Sequence, residues 1–152
     1  MRPFAFRRTL LPPSAVSANP KTEVIRRIVA DAVSRDSGAM AVIATDIAGV
    51  IVYWNERATT LYGWDADETI GRNILDVTPT HQTEDDAARI MESLRKGKSW
   101  SGHFILKHRD GSPLLLHVTD MPVVISGVVV GVVGISRPER QNSPRSVPRV
   151  LG

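Results

Sequence analysis

Residues 128–136 read VVVGVVGIS, a run that is apolar on both faces of an extended chain. Successive side chains of a strand point to opposite sides, so such a run must be covered twice and belongs in the middle of a sheet. Its glycines, Gly131 and Gly134, leave room for another group to approach the backbone. The neighbouring segments supply partners for it. Pro113–Val124 precedes it through a Ser126-Gly127 turn, and Trp100–Lys107 precedes that strand through Arg109-Asp110-Gly111, a hairpin turn. Nearer the N-terminus, Ala41–Thr45 and Val50–Trp54 are short β-branched runs joined by Asp46-Ile47-Ala48-Gly49, a second hairpin.

Helical periods occupy the remaining space. Over residues 21–36, Val24, Ile25, Ile28, Val29, Ala32 and Val33 recur at intervals of three and four, opposite Glu23, Arg26, Arg27, Asp31 and Arg35. This predicts an amphipathic helix after Pro20, ending at Ser37-Gly38. Its stripe needs a cover, either the domain's own sheet or the same helix of a second copy. Asn55 is placed to cap a helix over Glu56–Tyr62 closed by Gly63. Asp65 caps a short helix ending by Gly71, and Ile74–Val77 is one further turn. Residues 82–96 form a longer helix with Ala87, Ile90, Met91 and Leu94 on one side. Glu84, Asp85 and Asp86 in its first turn and Arg95-Lys96 in its last match the helix dipole.

The order is therefore helix, two strands, several short helices, three strands. It predicts an α+β fold, a five-stranded antiparallel sheet with short helices on one face, preceded by an amphipathic helix. The expected boundaries are a basic arm over 1–20, a flanking helix over 21–37, the domain over 38–137 and a tail over 138–152. Pro138 is expected to break the last strand.

Charge and composition narrow the function. The chain has 152 residues and a net charge of +3. The surplus lies in the flanks: residues 1–36 carry +4 and 139–152 carry +2, while 37–138 carry −3. A nucleic-acid binder places its basic stripe on a folded face, so none is expected here. Cysteine is absent, which excludes disulfides, thiolate metal sites and thiol nucleophiles and is compatible with the cytoplasm. No run of about 18 apolar residues is present, so no membrane span is expected. Arg7-Arg8 and Thr9-Leu10-Leu11 have the order of an export signal, but the apolar run stops at Pro12-Pro13, short of the roughly 7–15 residues such signals need. There is no nucleophile elbow, phosphate loop or paired-carboxylate signature, and the glycines of residues 127–134 lie on a strand that no helix follows. The reading is of a protein that is not an enzyme. His103 and His117 fall on adjacent strands, placed to pair across the sheet, and with His108 their spacing demands no metal.

The spaced residues Thr45-Asp46 with Gly49, Tyr53-Trp54-Asn55, Gly63, Glu68, Gly71-Arg72, Gly97, Trp100, Gly102, Arg109-Asp110-Gly111, Pro122 and Gly131 through Gly134-Ile135 resemble the PAS domain over about residues 38–137. The resemblance implies a sensory or interaction module of signal transduction, with a pocket between the sheet and the short helices. It also implies either a signalling partner or an output domain on a longer protein.

The residues expected to line that pocket are Ile74, Val77, Ile90, Met91, Leu94, Phe104, Leu106, Leu116, Val118 and Val132, with Asp120 as its most polar wall. Such a wall suits a filled core or a small organic ligand. The resemblance extends to light-sensing flavin (LOV) domains at Gly71-Arg72-Asn73, but Ile74 stands where that family has its reactive cysteine. Of the positions that grip the flavin ring, Leu106 and Leu116 are aliphatic and only Ser136 is polar. In haem-binding relatives the iron ligand comes from the long helix. Here that position falls near Asp86, which leaves His81 as the candidate haem ligand in a shifted arrangement. The cofactor is thus left open between none, haem and flavin. Homodimerisation is expected through Val24, Ile25, Ile28, Val29 and Ala32.

Overall fold

The computed structural model describes residues 20–35, 40–80 and 84–139. Helix α1 (Pro20–Arg35) leads into β1 (Ala41–Asp46) and β2 (Ile51–Trp54). Three short helices follow, α2 (Glu56–Tyr62), α3 (Ala66–Thr69) and α4 (Ile74–Val77), then the longer α5 (Glu84–Arg95). The chain ends in three strands, β3 (Trp100–Lys107), β4 (Pro113–Ile125) and β5 (Val128–Pro138). The strands form one antiparallel sheet in the order β2-β1-β5-β4-β3, with β5 at its centre.

Strand alternation gives each face of this sheet its own core. On one face Ala41, Ile43, Ile51, Trp54, Leu116 and Val118 pack with Ala58, Tyr62 and Val77 of the short helices. On the other, Val42, Ala44, Val52, Val123 and Val130 pack beneath Ile25 and Val29 of α1. The central strand is covered on both sides because α1 turns one stripe inward onto its own domain. Ile25 and Val29 are 0% and 2% exposed, whereas Val24 and Ile28 on the neighbouring stripe are 38% and 46% exposed.

The glycines of β5 accommodate close neighbours, as their sequence suggested. A Cβ on Gly131 would collide with the Thr45 carbonyl oxygen and lie 2.9 Å from Ile25 Cδ1. A Cβ on Gly134 would lie 2.8 Å from Asp120 Oδ1. Gly131 lets α1 settle on the sheet, and Gly134 makes space for a carboxylate on the opposite face.

Asn55 joins the two halves of the N-terminal hairpin to the first short helix. Its Oδ1 accepts the N–H groups of Val42 at 3.0 Å and Ala58 at 2.9 Å, and its Nδ2 donates to the Met40 carbonyl at 3.0 Å. The side chain is an N-cap and a strand tether together. At the other end of the helices, Arg109 Nη1 donates to Glu68 Oε1 at 2.9 Å, and its guanidinium lies 4.5 Å from the centre of the Trp64 ring.

One boundary differs from expectation. Pro138 does not break β5; it pairs with Leu116 of β4 as the strand's last residue. The register explains this. The β1 ladder begins at Ala41 opposite Ser136, so by Pro138 the strand has a neighbour on one side alone, where a missing N–H is tolerated. Of the expected arm over 1–20 and tail over 138–152, residues 1–19 and 140–152 lie outside the described residues.

Candidate functional site

A cavity of about 380 Å³ lies between the sheet and the helices. Its floor is the face of the sheet opposite α1, formed by Ile43 and Thr45 of β1, Phe104 and Leu106 of β3, Val118 and Asp120 of β4, and Val132, Gly134 and Ser136 of β5. Its roof is Tyr62, Ile74, Leu75 and Thr78, with Ala87, Ile90, Met91 and Leu94 of α5. The i, i+3, i+4 spacing of α5 turns that stripe inward, and strand alternation turns every second residue of the sheet toward it.

Nine of the eleven residues expected at the pocket line it: Ile74, Ile90, Met91, Leu94, Phe104, Leu106, Val118, Asp120 and Val132. Val77 and Leu116 do not. They are 2% and 1% exposed and close against Trp54, Ala58 and Tyr62 in the adjoining core. His81 lies outside the described residues.

Polar groups missed in the sequence also line the cavity. Tyr62 Oη and Ser136 Oγ are 2.9 Å apart and share a hydrogen bond. Burial, opposed by that bond and aided by the charge of Asp120, pushes the Tyr62 hydroxyl up to about 12. Asp46 is already engaged, its Oδ1 accepting the N–H groups of Ala48 and Val50 at 2.9 Å each. Asn73 caps α4 by accepting from Leu75 N–H at 2.9 Å. Thr78 Oγ1 donates to the Ile74 carbonyl at 3.2 Å.

Asp120 differs from all of these. Among the described residues its carboxylate has neither a hydrogen-bond nor an ion-pair partner. Burial alone pushes it up to about 6 from an ordinary 3.8. A largely buried acid without a partner, in a cavity whose walls are mostly apolar, is the feature that most marks this as a place for a ligand.

The histidine pair sits on the opposite face of the sheet. His103 and His117 are cross-strand partners with ring centres 5.2 Å apart. His103 Nε2 lies 2.8 Å from Glu139 Oε2, and His117 Nε2 lies 3.3 Å from Ser101 Oγ. No group of three or more histidine, aspartate or glutamate side chains is placed to hold a metal among the described residues.

The profile of the PAS fold family matches residues 36–138. The chain belongs to the PAS family. PAS domains are typical of signal-transduction sensors and are generally sensory rather than catalytic. Over 88 residues this one is 35% identical to biofilm dispersion protein BdlA of Pseudomonas aeruginosa, a match covering 56% of this chain and 21% of that protein. The chain thus spans about a fifth of that relative's length. Among solved structures it resembles the PAS domain of a protein from Colwellia psychrerythraea, at 26% identity and a TM-score of 0.54, covering 66% of this chain and 86% of that one. It also resembles the LOV protein of Rhodobacter sphaeroides at 14% identity and a TM-score of 0.61, covering 70% and 62%. The second likeness is one of fold alone.

Against the resemblance to LOV domains, the walls of this PAS cavity offer neither the reactive thiol nor most of the polar groups that such a domain turns toward its flavin. Ile74, at the start of α4, presents an aliphatic side chain where a LOV domain presents its cysteine. Leu106 gives an aliphatic wall, Leu116 is closed into the core, and the Ser136 hydroxyl is already bonded to Tyr62. Among the described residues no helix is long and apolar enough to cross a membrane.

Proposed function

We propose that this PAS domain is a sensor of a small organic molecule, not an enzyme, and that occupancy of the cavity is relayed through the sheet to α1. The observation that carries the reading is the unpartnered Asp120 carboxylate in a mostly apolar cavity of about 380 Å³, near the lower end of the roughly 300–1,000 Å³ usual for small-molecule sites. A core meant only to be filled has no use for a desolvated, unpartnered acid.

The two faces of β1 and β5 support the relay. Ile43, Thr45, Val132 and Gly134 face the cavity, while Val42, Ala44 and Val130 of the same strands lie in the core beneath α1. Ile25 and Gly131 fix the helix to the strand pair. A ligand that shifts these strands therefore shifts the helix that rests on them. Val132→Phe directs a larger side chain into the cavity. With a thermal-shift panel of one-ring aromatic and short-chain aliphatic compounds, the wild type is expected to show stabilising responders. Val132→Phe is expected to keep its melting temperature and lose them. Responders that persist unchanged in the variant would place binding elsewhere.

The outward stripe of α1, Val24, Ile28 and Ala32, is proposed as the contact with a second copy. Ile25 and Val29 serve the domain's own core instead. Ile28→Glu is accordingly expected to give a monomer in light scattering without loss of folding, and a mass unchanged from a dimeric wild type would refute this contact. A cytoplasmic setting, with a separate signalling partner or an output domain beyond this segment, completes the proposal.

A further inference from the structure

The cavity carries charge of one sign. Its lining includes two carboxylates, Asp46 and Asp120, and no lysine, arginine or histidine among the described residues. One oxygen of Asp46, Oδ1, is held by the turn it caps, through the N–H groups of Ala48 and Val50. The Tyr62 and Ser136 hydroxyls share one hydrogen bond, which leaves one O–H free to donate, and Asn73 and Thr78 are engaged by their own helix. Asp46 keeps one oxygen unclaimed at the turn, whereas both oxygens of Asp120 are unclaimed among the described residues, and Gly134 gives its Oδ1 the room to stand there.

A carboxylate in a low-dielectric cavity discriminates strongly by charge. It repels an anion, gives a neutral donor one ordinary hydrogen bond, and gives a protonated nitrogen a charge-assisted bond. Phe104, Ile90, Met91, Leu94 and Val132 give much of the remaining wall an apolar surface that matches a hydrocarbon or one-ring body.

We propose that the ligand is a small cationic amphiphile, an apolar body of one ring or a short chain bearing a protonated amine or equivalent cationic nitrogen that pairs with Asp120. This rests on the reading of the cavity as a ligand site and adds the chemical class. Asp120 selects by charge, while the α5 and β3 side chains select by size.

The test compares three probes of one shape on the full chain by calorimetry: phenethylamine, 2-phenylethanol and phenylacetate. Phenethylamine is expected to bind about tenfold more tightly than the alcohol, the difference typical of a hydrogen bond to a charged group, with phenylacetate weakest. Asp120→Asn keeps the shape and removes the charge. It is expected to weaken phenethylamine about tenfold and to leave the alcohol within about twofold. Val132→Phe is expected to weaken all three. If the alcohol or the acid binds as well as the amine, or if Asp120→Asn leaves the amine unchanged, the cationic class is overturned while a ligand site stands. If none of the three binds the wild type, both the class and the ligand site are overturned.

Discussion

Asp120→Asn is expected to make the ligand-free protein more stable above pH 7, by roughly 1–2 kcal/mol, and to abolish a pH dependence that the wild type shows between about pH 4 and 6. Burial raises the Asp120 carboxyl to about 6 in the folded state against 3.8 in the open chain. The folded protein therefore holds the proton more tightly than the unfolded one across that interval. Its stabilising contribution is fully present below about pH 4 and is lost as pH rises through about 6. A displacement of about two pK units corresponds to roughly 3 kcal/mol. An asparagine amide in the same place still lacks a partner, so the variant recovers only part of this. Glu68 and Asp110 are shifted downward by hydrogen bonds on the surface and act in the opposite sense. The difference between wild type and variant cancels them. Chemical unfolding at several pH values measures it, and a wild type and variant with parallel pH profiles would contradict an unpartnered Asp120. A group that lowers the stability of the empty protein yet is suited to grip a ligand is the pattern expected of a binding site.

Gly131→Ala is expected to destabilise the fold by about 3 kcal/mol, with a fall in melting temperature of roughly 10 °C or more. The added Cβ meets the carbonyl oxygen of Thr45 on the paired strand, which cannot move without breaking the β1–β5 ladder, and it presses on Ile25 from α1. Gly134→Ala, three residues on, is the contrast. There the new Cβ meets the far end of the Asp120 side chain, which can swing into the cavity, so the cost is expected to stay within about 1 kcal/mol. Equal losses in the two variants would show that the backbone collision at Gly131 is relieved by the sheet. A loss confined to Gly131 would establish α1 as part of the same cooperative unit as the central strand.

The strands were legible because their signal is local. Two-residue alternation and the Asp46–Gly49, Arg109–Gly111 and Ser126–Gly127 turns mark them directly. The same alternation placed Phe104, Leu106, Val118, Asp120 and Val132 on one face, and the α5 stripe placed Ile90, Met91 and Leu94 opposite. Alternation assigns a face but not the distance to the layer above it. Leu116 points the same way as Val118 and both belong to one core, yet only Val118 also borders the cavity. Val77 was misplaced for the same reason. The Tyr62–Ser136 bond joins positions 74 residues apart, and no local period connects them. In α1 the apolar stripe was visible but its division was not. Thr22, Ile25 and Val29 are buried, while Val24 and Ile28, each one position before a buried residue, and Ala32 are exposed.

The most direct test of the cavity as a ligand site is native mass spectrometry of the freshly purified chain beside a denaturing run. The account predicts an added small mass per subunit that denaturation releases and that is absent from Val132→Phe. A bare subunit mass in a preparation saturated with native extract, identical in wild type and variant, would contradict it.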